Sequence, residues 1–433
     1  MQVTARAAPG RHERHQGGSS MESREAKSLD LIVKVAERCN IACTYCYFFF
    51  GGDESHKFHP PYVNEETAAE IEAFLDRITA DGAVENLMIY FHGGEPMMAP
   101  KPVIARIARA ARRLSESGRV ADLGLSMQTN GMLVNDAWIR FCADLGIGVG
   151  VSLDGNEAAN DRFRIDKKGR GTYRRAVQGF RRLAGENGAG IDLHPGLLSV
   201  IDPEGDGARR LEHFSGEIGA QRMNFLHPDG GHDQGIAPAQ VAGVENFMLG
   251  VFRAWVRRRD SGLRVRFIKD LLDTLLSDEG ARTCPDSARR LSRILTISSN
   301  GMLGAEDTAR TLDARFRDIG HVRDFDSVAQ IFATPALVEM QQAAATPPAA
   351  CAACPWWGTC RGGTFTNRYS AQNGFDNPSV YCDALKAFFE EVSAWLVRGG
   401  IPVEDIERRL ILAGSAPEAV LGAARAEPEP LRA

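Results

Sequence analysis

The sequence predicts an α/β protein: a partial, TIM-like (β/α)6 barrel followed by a small cysteine-rich domain. Two observations carry this. Between Asp30 and Asp229 six short apolar runs, rich in β-branched residues, alternate with longer amphipathic stretches. That alternation reads as a parallel sheet with helices outside. The nine cysteines are unevenly spread: three fall within eight residues near the start and four between Cys351 and Cys382. Such clustering points to bound metal.

Taken in order, LIVKVAERC (31–39) is the first strand and EETAAEIEAFLDRI (65–78) its helix. NLMIYFHGG (86–94) is followed by VIARIARAARRL, and DLGLSMQTN (122–130) by DAWIRFCADLG. GVGVSLDG (148–155) precedes TYRRAVQGFRRLAG, DLHPGLLSVI (192–201) precedes GARRLEHFSGEIG, and AQRMNFLHP (220–228) closes the set. The barrel is expected over 29–235. In a barrel of βα units the chemistry sits at the C-terminal ends of the strands. Cys39, Cys43 and Cys46 fall just past the first run. Residues 236–283 read as a helical bridge (VENFMLGVFRAWVRRR, FIKDLLDTLLS). The cysteine-rich domain, 284–395, opens with one short strand, RILTISSNGML, and ends in a helix, ALKAFFEEVSAWLVRGG. Residues 396–433 finish that helix and run into an Ala/Pro/Glu-rich tail expected to fray. Residues 1–28 read as a disordered extension, with Met21 an alternative start.

At 433 residues the chain suggests two or three folding units, at roughly 150 residues each. A composition of 44% hydrophobic and 25% charged residues with a net charge of −5 lacks the basic surplus of a nucleic-acid binder. No apolar run reaches the roughly 18 residues of a membrane span, and TARAAPGRHERHQGGSS lacks the apolar core of a signal peptide. The expected location is therefore cytoplasmic. Nine cysteines in such a chain do not read as a disulfide framework.

Cys39-x3-Cys43-x2-Cys46 supplies three thiolates on one tight loop, one fewer than closes a cubane cluster, so one iron stays open to a ligand. The bland alternative, a structural zinc, normally pairs two CxxC elements. Three further turns close strands in order, HGGEP (92–96), QTN (128–130) and SLDG (152–155), and NDRFRIDKKGRGTY lies just beyond the last. Together they resemble the radical S-adenosylmethionine (SAM) family. The resemblance implies a [4Fe–4S] cluster with an open iron site at Cys39, Cys43 and Cys46, and S-adenosylmethionine upon it. It implies that Tyr45 packs on the adenine, that Gly93 and Gly94 let the backbone approach the ligand, and that Glu95 accepts from the cofactor's ammonium. Gln128, Asn130, Ser152 and Asp154 would contact the ribose and methionyl group. Arg164, in preference to Arg170, would pair with the methionyl carboxylate.

Cys351-x2-Cys354-x5-Cys360-x21-Cys382 offers four thiolates, enough for one auxiliary [4Fe–4S] cluster. Zinc, which accepts the same ligands, is the alternative. The segment resembles the SPASM extension of peptide-modifying radical SAM enzymes, with ligands missing. Glu306 stands near the place of one expected cysteine and Thr364 at another. Cys284 is left as a remnant or partial ligand. Cys142 reads as a core residue; His92, His194 and His227 lie in the strand runs and either face the site or pack. Trp356 and Trp357 shield the second cysteine set or simply pack against it.

CTYCYFFFGGDESHKFHPP and NRYSAQNGFDNPSVYC look like the SPASM maturases that build cyclophanes in ribosomal peptides, the darobactin-, Xye- and Grr-type enzymes. CRGGTF departs from the CGGG run common in that group. The resemblance implies a ribosomal precursor peptide as substrate, an electron donor such as ferredoxin or flavodoxin, and no nucleic-acid or membrane partner. Hydrogen abstraction from a side-chain carbon would be followed by its bonding to an aromatic ring, with Asp307 a candidate proton acceptor. Three alternatives stand beside this: side-chain oxidation as in sulfatase maturation, thioether formation, and a zinc-stapled peptide-binding protein.

Overall fold

All six apolar runs form strands, and they pair in chain order. β1 (Ser28–Ala36), β2 (Asn86–Gly93), β3 (Asp122–Thr129), β4 (Gly148–Ser152), β5 (Gly196–Val200) and β6 (Arg222–Leu226) are parallel, each beside the next. The structure is a computed structural model that describes residues 27–423, with no side-chain description for 285–291, 422 and 423. Most of the expected N-terminal extension and the last residues of the tail thus lie outside the described residues.

Period-two alternation sorts each strand into two faces. Leu29, Leu31 and Val33 on β1 and Ile89 and Phe91 on β2 are fully buried among the outer helices. The opposite set, Ile32, His92, Gln128, Ser152, Leu198 and Asn224, lines the barrel lumen. The helix starts are fixed locally. Asn64, Asn135, Asn156 and Asp206 each accept a hydrogen bond from a first-turn amide, a cap worth about 1 kcal/mol.

Three elements differ from the sequence reading. RILTISSNGML is a hairpin, turned at Gly301, whose φ of +83° favours glycine. With β7 (Arg264–Val265) placed beside β6, the hairpin supplies β8 (Ile294–Ile297) and β9 (Met302–Gly304), and β10 (Gly320–His321) follows. β8 lies parallel to β1, so the sheet order is β10-β9-β8-β1-β2-β3-β4-β5-β6-β7. The opening strands of the cysteine-rich region therefore extend the barrel's own sheet. Second, the tail is helical at Pro417–Ala423, held down by Val420 at 3% exposure. Third, His194 is not on a strand: it precedes Pro195, has φ +48°, and is exposed beside Asp192. No helix among the described residues is long and apolar enough to cross a membrane.

A buried ion pair fastens the loop after the third cysteine to the segment beyond β9. Arg310 Nη2 lies 3.2 Å from Asp53 Oδ2 with both side chains almost wholly enclosed. Burial would raise the Asp53 carboxyl, and the Arg310 charge reverses this, holding it low.

Candidate active site

Cys39, Cys43 and Cys46 occupy the loop leaving β1, at the C-terminal edge of the sheet. Two backbone bonds pin that loop, Ala42 N–H to Ile165 O at 2.8 Å and Thr44 N–H to Phe163 O at 3.0 Å. All three thiols line one cavity of about 620 Å3. Burial pushes the Cys39 thiol up to about 12 and raises those of Cys43 and Cys46, with the Arg164 charge pulling back on both of the latter. The loop thus holds neutral thiols until a cation displaces their protons. Among the described residues no three His, Cys, Asp or Glu side chains converge to chelate a single metal ion. A cubane asks something else of its ligands, since each thiolate takes a different iron; three thiols on one cavity meet that.

Gly93, Gly94, Tyr45, Gln128, Asn130, Ser152, Asp154 and Arg164 line the same cavity. A Cβ at Gly93 would collide with Ala36 O, and one at Gly94 with Arg38 O. The close approach these glycines permit is therefore to the chain's own cysteine loop. Tyr45, Asp154 and Arg164 form one network: the tyrosine hydroxyl donates to Asp154 Oδ2 and accepts from Arg164 Nη1 at 2.8 Å. Asp154 Oδ1 accepts from Val200 N–H at 3.0 Å, fixing the carboxylate. Gln128 Nε2 donates to Ser152 Oγ at 2.9 Å, and Asn130 Nδ2 donates to Asn40 Oδ1 at 2.7 Å. Arg170 is exposed and paired with Asp166, away from the cavity.

Glu95 departs from its expected place. It is 0% exposed and does not line the cavity. Its oxygens accept from Thr129 Oγ1 at 2.7 Å and from the amides of Asn130 and Met97 at 2.8 and 3.0 Å. The carboxylate thereby locks the end of β3 against the turn after β2, which is the physical reason it is drawn inward.

Asp307 is 3% exposed, so it is not a solvated turn residue. Lys34 Nζ stands 2.5 Å from Oδ1, Tyr47 OH donates to Oδ2, and His92 Nδ1 lies 3.4 Å from Oδ2. Lys34 and His92 are register neighbours on β1 and β2, which brings both to one carboxylate. Burial would raise the Asp307 carboxyl; Lys34 overrides it and holds the group well below the usual range. Three more carboxyls line the cavity: Glu306, Asp229 and Asp270, the last raised by burial. Burial and the Asp307 charge raise Glu306. Asp229, open to the cavity but ringed by protein, is pushed up to about 7 by desolvation and by Glu306 and Asp307.

The Asp229 shift has a stability consequence. Folded, the group keeps its proton up to about 7, against 3.8 for an ordinary aspartate, so stability is lost as pH rises between those values. Asp229→Asn does not titrate. Its melting temperature is expected to gain on the wild type from about pH 4 to about pH 7 and then hold level, in thermal scans across that range.

Residues 33–203 match the Radical SAM superfamily. The chain carries a radical SAM domain. A serine-type anaerobic sulfatase-maturating enzyme of Klebsiella pneumoniae is 28% identical over 86% of this chain and 89% of its own length. The solved structure of native anSMEcpe with bound AdoMet and Cp18Cys peptide superimposes with a TM-score of 0.69 at 21% identity, covering 86% of this chain and 98% of that one. Streptococcus suis SuiB bound to precursor peptide SuiA gives a TM-score of 0.54 at 14% identity, covering 82% and 76%. Both structural likenesses concern the fold.

The radical SAM enzyme has a second gathering of thiols. Cys351, Cys354, Cys360 and Cys382 line a small space walled by Trp356, Trp357 and Phe389. Burial raises Cys360 to about 12 and also raises Cys351 and Cys382, with Lys386 opposing it at Cys382. Lys386 and the buried Arg368 supply the positive charge that four thiolates would need. Both tryptophans meet this space, Trp357 at 5% exposure. Cys284 donates to Gly358 O at 3.4 Å, against the loop that carries the thiols; Cys142 is fully buried in the core. Glu306 and Thr364, which stand where a fuller SPASM pattern has cysteines, wall the reaction cavity instead.

Sequence reasoning passed over Lys34, Tyr47 and Asp229. Lys34 sits mid-run in LIVKVAERC on the lumen phase, a lone charge inside an apolar strand that could have been flagged. Of the three histidines, His92 and His227 line the cavity.

Proposed function

We propose that this radical SAM enzyme is a maturase of ribosomal peptides that joins a side-chain carbon to an aromatic ring of the same peptide. The observation that carries the reading is the continuity of one cavity. The three-cysteine loop, the strand ends and the segments around Asp307 and Thr364 all wall it, with Phe48, Phe49, Phe225, Phe267 and Phe365 among its lining. Its volume falls in the range of small-molecule sites, and its apolar walls with a few fixed polar groups suit an aromatic side chain beside a cofactor.

Cys39, Cys43 and Cys46 would hold a [4Fe–4S] cluster whose open iron takes S-adenosylmethionine, and this supplies the 5′-deoxyadenosyl radical on reduction by a donor such as ferredoxin or flavodoxin. Cys351, Cys354, Cys360 and Cys382 would hold an auxiliary [4Fe–4S] cluster, which supplies an acceptor for one electron. The remaining work belongs to the chain. Arg164, tied through Tyr45 to Asp154, would neutralise the methionyl carboxylate, while Gln128, Ser152 and Asn130 orient the rest of that molecule. The phenylalanine walls exclude water from a carbon radical. Addition of that carbon to the ring leaves one electron and one proton to be lost before aromaticity returns. Asp307 would accept the proton, a weak base sufficing for the strongly acidic oxidised ring, and Asp229 offers a more basic carboxylate nearby.

A second reading, oxidation of a peptide side chain without a crosslink, is supported by the sulfatase-maturating relative. One experiment separates the two. The anaerobically reconstituted protein is incubated with SAM, dithionite and each candidate peptide found encoded near the gene, and the product is sequenced by tandem mass spectrometry. A product that lacks a pair of hydrogens and does not fragment between an aromatic residue and its neighbour supports the crosslink. A hydrazine-reactive aldehyde supports oxidation. Cys354→Ala and Cys360→Ala are expected to keep part of the 5′-deoxyadenosine release and to lose the modified peptide, measured in the same incubation.

A further inference from the structure

A second, smaller space lies beside the barrel lumen. Gln128, Leu198 and Asn224 line both the cysteine-facing cavity and a smaller space of about 310 Å3 at the N-terminal ends of β4, β5 and β6. The two spaces adjoin across these side chains. Gly150 and Gly196 are register partners there, so two neighbouring strands present no side chain to the lumen. A Cβ at Gly150 would collide with Gln128. Glycine within a strand marks a place where another chain or ligand comes close.

The rim of this slot is cationic. Arg222 and Arg264 are also register partners, on β6 and β7, and like charges side by side on paired strands are destabilising without an anion between them. Arg266 and Lys269, from the next helix, line the same space, and among the described residues no carboxylate does. Those two have exposed partners of their own at the i+4 position, Asp270 at 3.6 Å and Asp273, in pairs that are weak and easily exchanged. Arg222 donates to His194 O, and among the described residues Arg264 has no ion-pair partner. The helix Arg266–Leu276 has no side-chain cap and no acidic residue in its first turn, so its dipole adds positive potential where acidic groups are normally favoured.

We propose that this slot docks an acidic segment of the peptide substrate, whose carboxylates are held by Arg222 and Arg264 while the residue to be modified lies in the cavity above. The inference rests on the peptide reading given above. Arginine's planar fork suits paired bonds to carboxylates. β5 runs from Gly196 at the slot to Val200 at the cavity in five residues, so an extended peptide needs about five residues to reach from one to the other. The acidic group therefore stands about that far along the substrate from the modified residue.

Two fluorescein-labelled synthetic peptides test this, identical except that one carries a Glu-Glu-Glu block and the other Lys-Lys-Lys. Anisotropy is measured on the full-length holoprotein with SAM, anaerobically, at low and high salt. The acidic peptide is expected to bind at least about tenfold tighter than its twin, with the preference fading as salt rises. Arg222→Glu/Arg264→Glu should invert the preference, and the milder Arg222→Gln/Arg264→Gln should abolish it while keeping the melting temperature. Arg109→Glu/Arg140→Glu, at exposed positions on outer helices, makes the same change in net charge and should leave the preference intact. Equal binding of the two peptides, no effect of the Gln pair, or an equal effect of the Arg109/Arg140 pair would overturn the proposal. Release of 5′-deoxyadenosine and peptide modification are read separately, so failure of the docking site is distinguishable from failure of the maturase reading.

Discussion

Replacing Cys39, Cys43 or Cys46 by alanine is expected to abolish SAM cleavage while leaving the protein folded. The three thiols are the whole ligand set that the loop presents to the cavity, and loss of one leaves two. Neighbouring Asn40, Asn130 and Asp154 carry hard oxygen donors, poor substitutes for thiolate at an iron–sulfur cluster. Removal of a mere supporting partner around a metal site costs about 10- to 100-fold, so the drop in 5′-deoxyadenosine should exceed that. The backbone bonds from Ala42 and Thr44 that hold the loop do not depend on the thiols, so the melting temperature of the metal-free protein should change little. Liquid chromatography of the quenched reaction, beside thermal scans of each variant, gives both readouts.

The second large effect is expected at the Lys34–Asp307 pair. Both side chains are almost wholly buried, with Nζ 2.5 Å from Oδ1. Lys34→Met strands a buried carboxylate, and breaking such a pair from one side costs about 3–5 kcal/mol, read by denaturant unfolding. Asp307→Asn strands the ammonium in turn, so its stability alone says nothing of chemistry. The discriminating quantity is modified peptide per 5′-deoxyadenosine released. A general base contributes about 10^2- to 10^4-fold, so this ratio should collapse in Asp307→Asn if the group accepts the proton. A purely structural role would lower total yield and leave the ratio unchanged. Lys34→Met/Asp307→Leu should recover most of the stability and none of the product, because apolar replacements remove both buried charges together.

The barrel was legible because its signal repeats. Six apolar runs with a consistent period, alternating with amphipathic helices, leave little choice of topology. The cysteine loop and the cavity-lining residues at the strand ends were legible for a related reason: chemistry at strand C-termini falls at predictable places in the chain. What escaped were features set by distant partners or by local turn chemistry. Lys34 looks misplaced until Asp307 arrives from the far side of β9, and no periodicity links the two. His194 was read into a strand although Pro195 follows it, and a proline inside a run argues against a regular strand there. The Asn-Gly pair at 300–301 is a hairpin signal that was passed over within RILTISSNGML. Glu95 was read as a ligand contact because its motif ends a strand, yet three internal donors claim it. Composition misled at the tail, where Val420 anchors a helix in a segment otherwise rich in Ala, Pro and Glu.

The central claim, radical chemistry at a three-cysteine loop with an auxiliary cluster beyond it, is tested most directly by one anaerobic preparation. Iron and sulfide are quantified on the reconstituted protein, which is then mixed with dithionite and SAM. The account predicts about eight irons with matching sulfide per chain, two [4Fe–4S] clusters' worth, and release of 5′-deoxyadenosine. A protein that carries one or two zinc ions, takes up no iron and leaves SAM intact would contradict it.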